Sequence, residues 1–272
     1  MGERSLKLCL VGAGRMGGAL LTRWAATEGL IDAAALQIVE PRPSAALKDQ
    51  FGDRLLADAA SLDPAGAPDL AILAVKPDVA GEAAKAVRAI YPGVPLLSIA
   101  AGVDLRTLEI AGGAGPAIRS IPNTPAQVGE GVTALIGNAA VTDDLRDDVG
   151  RLMTAAGAAV WLTDEAQMDA VTAISGSGPA YVFLMTECLA AAAQSLGLSG
   201  ELSETLARRT IIGAGAVLAA RDDAPGDLRR EVTSPGGTTE AALNELVADG
   251  GLGALLRRAA MAARKRAAEL GR

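Results

Sequence analysis

Short apolar runs alternate with amphipathic stretches through the first part of the chain. LKLCLV, LQIVE, DLAILAV, PLLSIA, AIRSI, VTALI and AVWL recur between Leu6 and Leu162. Runs that are apolar on both faces, with helical crossovers between them, predict a largely parallel sheet covered on both sides. Two of the intervening stretches, 78–88 and 143–153, have helical spacing, and in the second Leu145, Val149 and Leu152 fall on one face. Strand signals stop after Thr163. From there the pattern predicts helices over 164–174, 179–196, 203–220, 239–249 and 252–270. In the last of these Leu252, Leu256, Ala259, Ala263, Ala267 and Leu270 form a narrow stripe suited to close helix packing. The expected organisation is an α/β domain over 1–162 followed by an all-helical domain over 163–272.

Composition narrows the chemistry. Half of the 272 residues are hydrophobic, yet there are only two Trp, two Tyr and two Phe, so the core must be built from Ala, Leu, Val and Ile. That scarcity argues against recognition by aromatic stacking. A formal charge of −7 has the wrong sign for capture of nucleic acid or an anionic membrane. With no histidine, imidazole bases, Ser-His-Asp triads and His-ligated metals drop out. Cys9 and Cys188 stand apart in sequence and read as reduced, buried and structural. The opening MGERSLKLCLVGAG reaches a glycine loop too soon for a signal peptide, and the most apolar helical run, AYVFLMTECLAAAA, is interrupted by Glu187. A cytoplasmic protein acting on a small molecule is expected, with no metal, nucleic acid or membrane partner.

The first glycine loop is informative through its context. Gly12, Gly14 and Gly17 have GxGxxG spacing, follow a strand and open a helix bearing Leu20, Leu21 and Trp24. In that setting the first glycine makes the turn, the second admits a pyrophosphate to the backbone, and the third allows close helix-to-strand contact. A Rossmann-like dinucleotide site is therefore expected, with Gly12, Ala13, Gly14, Arg15, Met16 and Gly17 on the phosphates. Glu40 lies about twenty residues further on, where an acid accepts from the adenosine ribose, while Arg42 is placed to pair with a 2′-phosphate. The cofactor is thus NADPH or NADH, Glu40 favouring the second and Arg42 the first. Val75, Lys76 and Pro77 end one later strand and Ala100 another, and these turns are expected to line the nicotinamide half of the cleft. Residues 119–125, RSIPNTP, form a third strand end that brings Asn123 to the wall.

EVTSPGGTTEAAL, residues 231–243, is the second anion-binding signal. Gly236 and Gly237 free the backbone for unusual turns, and Ser234, Thr238 and Thr239 add short donors beside a helix N-terminus with partial positive charge. A carboxylate suits such a place. A further glycine-rich helix start, SGSGPAYVF, has Pro179 at a first-turn position and either shapes the cleft or lets helices approach closely.

VGAGRMG, ILAVKP, SIAAGV, RSIPNTPAQVGEGVTAL, ISGSGPAYVF and EVTSPGGTTEAAL occur in the order seen in pyrroline-5-carboxylate reductases, and the chain resembles that family over nearly its whole length. Ile121 stands where the family usually has Met. The resemblance implies reduction of L-1-pyrroline-5-carboxylate to L-proline by hydride from NADPH or NADH, the last step of proline synthesis. It implies a Rossmann-like domain followed by an all-α dimerisation domain, and a homodimer or a higher oligomer built from dimers. Thr239 matches the threonine that hydrogen-bonds the ring nitrogen and is the expected catalytic residue. Ser234, Gly236, Gly237 and Thr238 match the loop holding the substrate carboxylate, and Asn123 is assigned to the substrate with them.

Other enzymes share the expected architecture. A β-hydroxyacid dehydrogenase uses a helix-borne lysine, but after Lys85 the chain has only Lys265. A coenzyme F420-dependent NADP oxidoreductase shares the first domain and lacks SPGGTT, and other imine reductases stay in view. A dinucleotide-binding regulator without turnover is the alternative from outside enzymology.

Overall fold

The computed structural model describes residues 4–271; Met1, Gly2, Glu3 and Arg272, at the outer ends of the two expected domains, lie outside the described residues. Eight strands form one sheet: β1 (Leu8–Val11), β2 (Gln37–Val39), β3 (Leu55–Leu56), β4 (Leu70–Leu73), β5 (Leu96–Ser98), β6 (Ala117–Ile121), β7 (Gly131–Gly137) and β8 (Gly157–Trp161). Their order is β3-β2-β1-β4-β5-β6-β7-β8. All neighbours pair in parallel except β6 and β7. Those two are joined by residues 122–130, which hold only a 3-10 turn over Thr124–Val128. So short a link cannot make the crossover that a parallel pair needs. The helices of this sheet are α1 (Arg15–Ala26), α2 (Ala45–Phe51), α3 (Pro77–Ile90), α4 (Leu105–Gly112) and α5 (Asp143–Thr154).

The two-residue period of the strands divides the core between the faces. Leu8, Leu10, Leu70 and Ile72 pack with Leu20, Leu21 and Trp24 of α1 and with Val149 and Leu152 of α5. Cys9, Val11, Ala71 and Leu73 point the other way, against Ala80, Ala84 and Val87 of α3. Helix starts follow local chemistry. The Thr142 side chain accepts from Leu145 N–H to cap α5, with Asp143 and Asp144 in the first turn, and α3 has Pro at its first position. Arg88, near the end of α3, is buried and donates to the carbonyls of Val94 at 3.1 Å, Gly113 at 2.6 Å and Pro116 at 2.6 Å. Burial lowers its pKa below the usual value, and the three carbonyls take up its donors.

The remaining helices are α6 (Met168–Val171), α7 (Gly178–Ser195), α8 (Gly200–Ala220), α9 (Pro225–Glu231), α10 (Thr238–Val247) and α11 (Leu252–Leu270). Between α6 and α7 the backbone forms a π-helical turn at Thr172–Gly176. The 164–174 stretch is thus broken into a 3-10 turn, a single α turn and a π turn. Beyond the expected elements, β3 and α9 are additional. Packing divides the chain into two units, one running to Gly176 and including the stretch from Arg264, the other Ser177–Ala263. In the second unit α7 packs along α8, burying Ser203 and Ala207. Large apolar side chains of this unit stand exposed, among them Phe183 at 62% and Ile212 at 54%. No helix of the described residues is long and apolar enough to cross a membrane.

Candidate functional site

Within the first unit, β1, β4, β5 and β6 run in one direction, so the turns after Val11, Leu73, Ser98 and Ile121 gather on a single sheet edge. That edge carries the first glycine loop. Gly12 has φ +90°, and a Cβ there would meet the Ala74 carbonyl oxygen at 2.7 Å. A Cβ on Gly17 would meet Gly12 O at 2.5 Å and Ala74 Cβ at 2.8 Å. Gly14 has open space around it, with nothing within 4 Å. The three glycines therefore separate into a turn-maker, an approach to the outside and a close packing contact. Gly14 is the N-cap of α1 and no side chain caps that helix. The amides of Arg15, Met16 and Gly17 thus begin the helix before the first intrahelical bond, Gly18 N–H to Gly14 O at 2.8 Å.

Glu40 follows β2 and reaches back to this loop. Its Oε2 accepts from Ala13 N–H at 2.8 Å and its Oε1 from Arg42 N–H at 3.1 Å. An open depression of about 390 Å³ beside it is lined by Gly14, Arg15, Glu40, Arg42, Ser44 and Gln50. Ser44, not singled out in the sequence, caps α2 by accepting from Leu47 N–H at 3.2 Å; a Ser-led helix start was its signal. An exposed glycine approach, three uncapped amides and an acid at the end of the second strand fit a dinucleotide.

Further along the edge, Lys76 is exposed and is the backbone N-cap of α3, with Pro77 after it and Val75 half-buried before it. Ala100 is buried, and its N–H donates to Ser98 Oγ at 3.2 Å. Asn123 is buried with both ends of its carboxamide engaged: Nδ2 donates to Ser175 O at 3.0 Å, and Oδ1 accepts from Val132 N–H at 2.8 Å. It ties the end of β6 to the start of β7 and to the π turn, and π turns recur at functional sites. Arg119 on β6 pairs with Glu165 at 3.0 Å, and the same Glu165 oxygen accepts from Leu105 N–H at 3.0 Å. Nearby, Asp104 caps α4; burial alone would raise its pKa, but hydrogen bonds from Thr107 and the charges of Arg119 and Arg106 bring it below the usual carboxylate value.

Within the second unit, Ser234–Gly237 is a turn closed by Gly237 N–H to Ser234 O at 3.0 Å, with Gly236 at φ 71°. Gly237 is the N-cap of α10, without a side-chain cap. The amides of Thr238, Thr239 and Glu240 therefore precede the first intrahelical bond, Ala241 N–H to Gly237 O at 3.2 Å. A Cβ on Gly237 would meet Ser234 Oγ at 2.5 Å, so the turn brings that hydroxyl over the helix start. Glu240 also belongs to the turn, its Oε2 accepting from Gly236 N–H at 2.7 Å. A Glu in the first turn after a small N-cap is capping-box spacing, the signal that would have found it. Behind the turn, Arg221 holds Glu231 through two hydrogen bonds of 2.7 and 2.8 Å and Asp223 through a third of 2.9 Å.

Residues 165–270 match the family described as pyrroline-5-carboxylate reductase dimerisation. Residues 7–102 match the family described as NADP oxidoreductase, coenzyme F420-dependent, a match that stops far short of Ser234. The chain is 38% identical over 268 residues to a pyrroline-5-carboxylate reductase of Pseudomonas aeruginosa, covering 97% of this chain and 96% of that one. It is 33% identical to one from Pisum sativum, with 98% and 96% covered. Among solved structures, a pyrroline-5-carboxylate reductase from Coxiella burnetii aligns with a TM-score of 0.90 at 32% identity over 99% of this chain and 100% of that one. The Plasmodium falciparum pyrroline carboxylate reductase with NADP bound aligns at 0.83 and 30% identity over 100% of both. With that likeness running from the first glycine loop to the last helix, the chain belongs to the pyrroline-5-carboxylate reductase family.

Proposed function

We propose that the chain reduces L-1-pyrroline-5-carboxylate to L-proline with NADPH or NADH, as a homodimer or an oligomer built from dimers, in the cytoplasm. The observation that carries the reading is the Ser234–Gly237 turn over the uncapped start of α10, on a chain that belongs to this family. Reduction adds hydride to the imine carbon and leaves the ring nitrogen as an amine, so the site must hold an anionic ring in one orientation and keep its nitrogen protonated. Ser234, Gly236 and Thr238 hold the carboxylate with hydroxyl and amide donors at the positive end of α10, and Gly237, whose N–H closes the turn on Ser234 O, shapes the loop that presents them. Thr239, the next residue, directs its hydroxyl at the ring nitrogen. A hydroxyl is too weak an acid to be the final proton source, so Thr239 orients the nitrogen and water delivers the proton.

When bound, NADPH or NADH supplies the hydride. Gly12, Ala13, Gly14, Arg15, Met16 and Gly17 hold its phosphates, Glu40 and Arg42 meet the adenosine ribose, and Val75, Lys76, Pro77 and Ala100 line the nicotinamide side. Asn123 serves as a brace of the wall, its carboxamide engaged at both ends by the chain. Fixing both reactants by their charged ends is worth on the order of 7 to 11 kcal/mol in orientation, and this chain, which has no histidine, draws chiefly on that. In functional terms, residues 1–162 bind the dinucleotide and 163–272 dimerise and hold the substrate. Exposed apolar side chains such as Phe183 and Ile212 support the pairing of helical units; of the two cysteines, Cys9 is buried as expected, whereas Cys188 is exposed on α7 in the single chain. The test is the initial rate of NADPH and NADH oxidation with pyrroline-5-carboxylate. Oxidation of neither would end the reading.

A further inference from the structure

The Gly236 amide, which the proposed function gives to the substrate carboxylate, already has an acceptor in the chain's own Glu240. The side chain of this third residue of α10 is half-buried and folds back so that Oε2 lies 2.7 Å from Gly236 N. The turn does not need that bond to keep its shape. Gly237 N–H closes it on Ser234 O at 3.0 Å, and Thr233 Oγ1 anchors its approach by donating to Arg229 O at 2.6 Å. What Glu240 supplies is negative charge at a helix start that no side chain caps, the same need that an incoming carboxylate meets.

One N–H cannot fully serve two carboxylates, and two unit charges about 4 Å apart repel by about 1 kcal/mol even in water-like surroundings. We infer that Glu240 is an internal competitor for the substrate carboxylate, a positioning residue that holds the Gly236 amide until the ligand displaces it. The inference rests on the proposed function. Substrate and product carry the same carboxylate, so Glu240 weakens both by the same factor. It thereby raises KM and also helps proline leave. A cyclic imine without the carboxylate does not compete for that amide and is insensitive to Glu240.

The test compares the unaltered full chain with Glu240→Gln and Glu240→Ala by steady-state kinetics, with the dimer mass and helical content of each variant checked. For both variants KM for pyrroline-5-carboxylate and the inhibition constant of proline should fall together, by about five- to tenfold. The change in kcat should be smaller than the change in KM, and KM for 1-pyrroline should stay put. An unchanged or raised KM for pyrroline-5-carboxylate overturns the inference, as does an equal shift for 1-pyrroline. Gly237→Val separates this from failure of the underlying reading. If the unaltered chain shows no turnover, or if Gly237→Val leaves KM where it was, the turn is not the carboxylate site and the competitor falls with it. Turnover that depends on Gly237 but has a KM indifferent to Glu240 removes only the competitor.

Discussion

The first glycine loop allows stability and cofactor binding to be separated by one methyl group placed two ways. In Gly17→Ala the new Cβ would lie 2.5 Å from Gly12 O and 2.8 Å from Ala74 Cβ, contacts that neither a backbone oxygen nor a core methyl can relieve by rotating. Overpacking of this kind costs about 1–3 kcal/mol, and the helix preference of Ala over Gly returns at most about 1 kcal/mol. A net loss of about 1–2 kcal/mol corresponds to a melting temperature lower by about 2–8 °C for a protein of this size. In Gly14→Ala the methyl meets nothing within 4 Å and the backbone, at φ −65°, suits any residue. Stability should then change by less than about 0.5 kcal/mol. The proposed function gives that open space to the pyrophosphate, so the dinucleotide Kd should rise about tenfold or more, the equivalent of about 1.4 kcal/mol. Thermal melts without dinucleotide at one protein concentration, beside fluorescence titrations with NADPH and NADH, read the two effects. A Gly14→Ala variant that melts as early as Gly17→Ala, or that binds both dinucleotides like the unaltered chain, would refute the division of roles.

Thr239→Ala should lower kcat/KM on the order of 10²-fold while Thr239→Ser keeps most of it; near-normal rates for the alanine variant would remove Thr239 from the chemistry. Glu40→Ala should raise the ratio of kcat/KM with NADPH to that with NADH by about tenfold, since the proposed ribose site loses a negative charge. An unmoved ratio would mean that Glu40 only braces Ala13 N–H. Arg88→Met leaves three carbonyls without their donor, and at about 1 kcal/mol each the loss is roughly 3 kcal/mol; a urea midpoint within error of the parent would contradict that. Burial pushes the Cys9 thiol from 9.0 up to about 12, so the folded chain keeps a proton that the unfolded chain sheds. Its contribution is intact below about pH 9 and is lost as pH climbs toward 12. Cys9→Ala should flatten that stretch of the urea midpoint against pH, and an unchanged slope would count against the assignment.

Features that follow from local sterics were legible in the chain itself. GxGxxG spacing located Gly12 and Gly17 because only glycine tolerates a carbonyl where Cβ would stand. Apolar runs located seven of the strands, but the largely parallel sheet they predict does not single out β6 and β7, whose antiparallel pairing follows from a linker too short for a crossover. The remainder is decided by partners distant in sequence or by too few residues to show a period. Two leucines make β3, which exists through its pairing with β2. Seven residues make α9, whose Pro225 and Asp227 are start signals without an apolar stripe to support them. At the site, Asn123 reads as a ligand because its side chain is polar and its strand end lies on the edge expected to line a cleft. That its carboxamide is engaged by Ser175 and Val132 depends on where the π turn and β7 arrive, which no local pattern encodes.

Both indoles of the chain, Trp24 and Trp161, lie in the sheet unit; the first is sealed in the core, and the second sits under the Arg146 guanidinium, 4.3 Å from the ring centroid. Between Ser177 and Ala263 there is none. Tryptophan emission, excited at the red edge where Tyr181 of the other unit does not absorb, therefore watches the sheet unit alone during denaturation, while far-ultraviolet ellipticity weighs the helices of the other unit heavily. Coincident curves from the two signals would mean that the halves melt as one cooperative body, and separated curves that the assembly comes apart in stages.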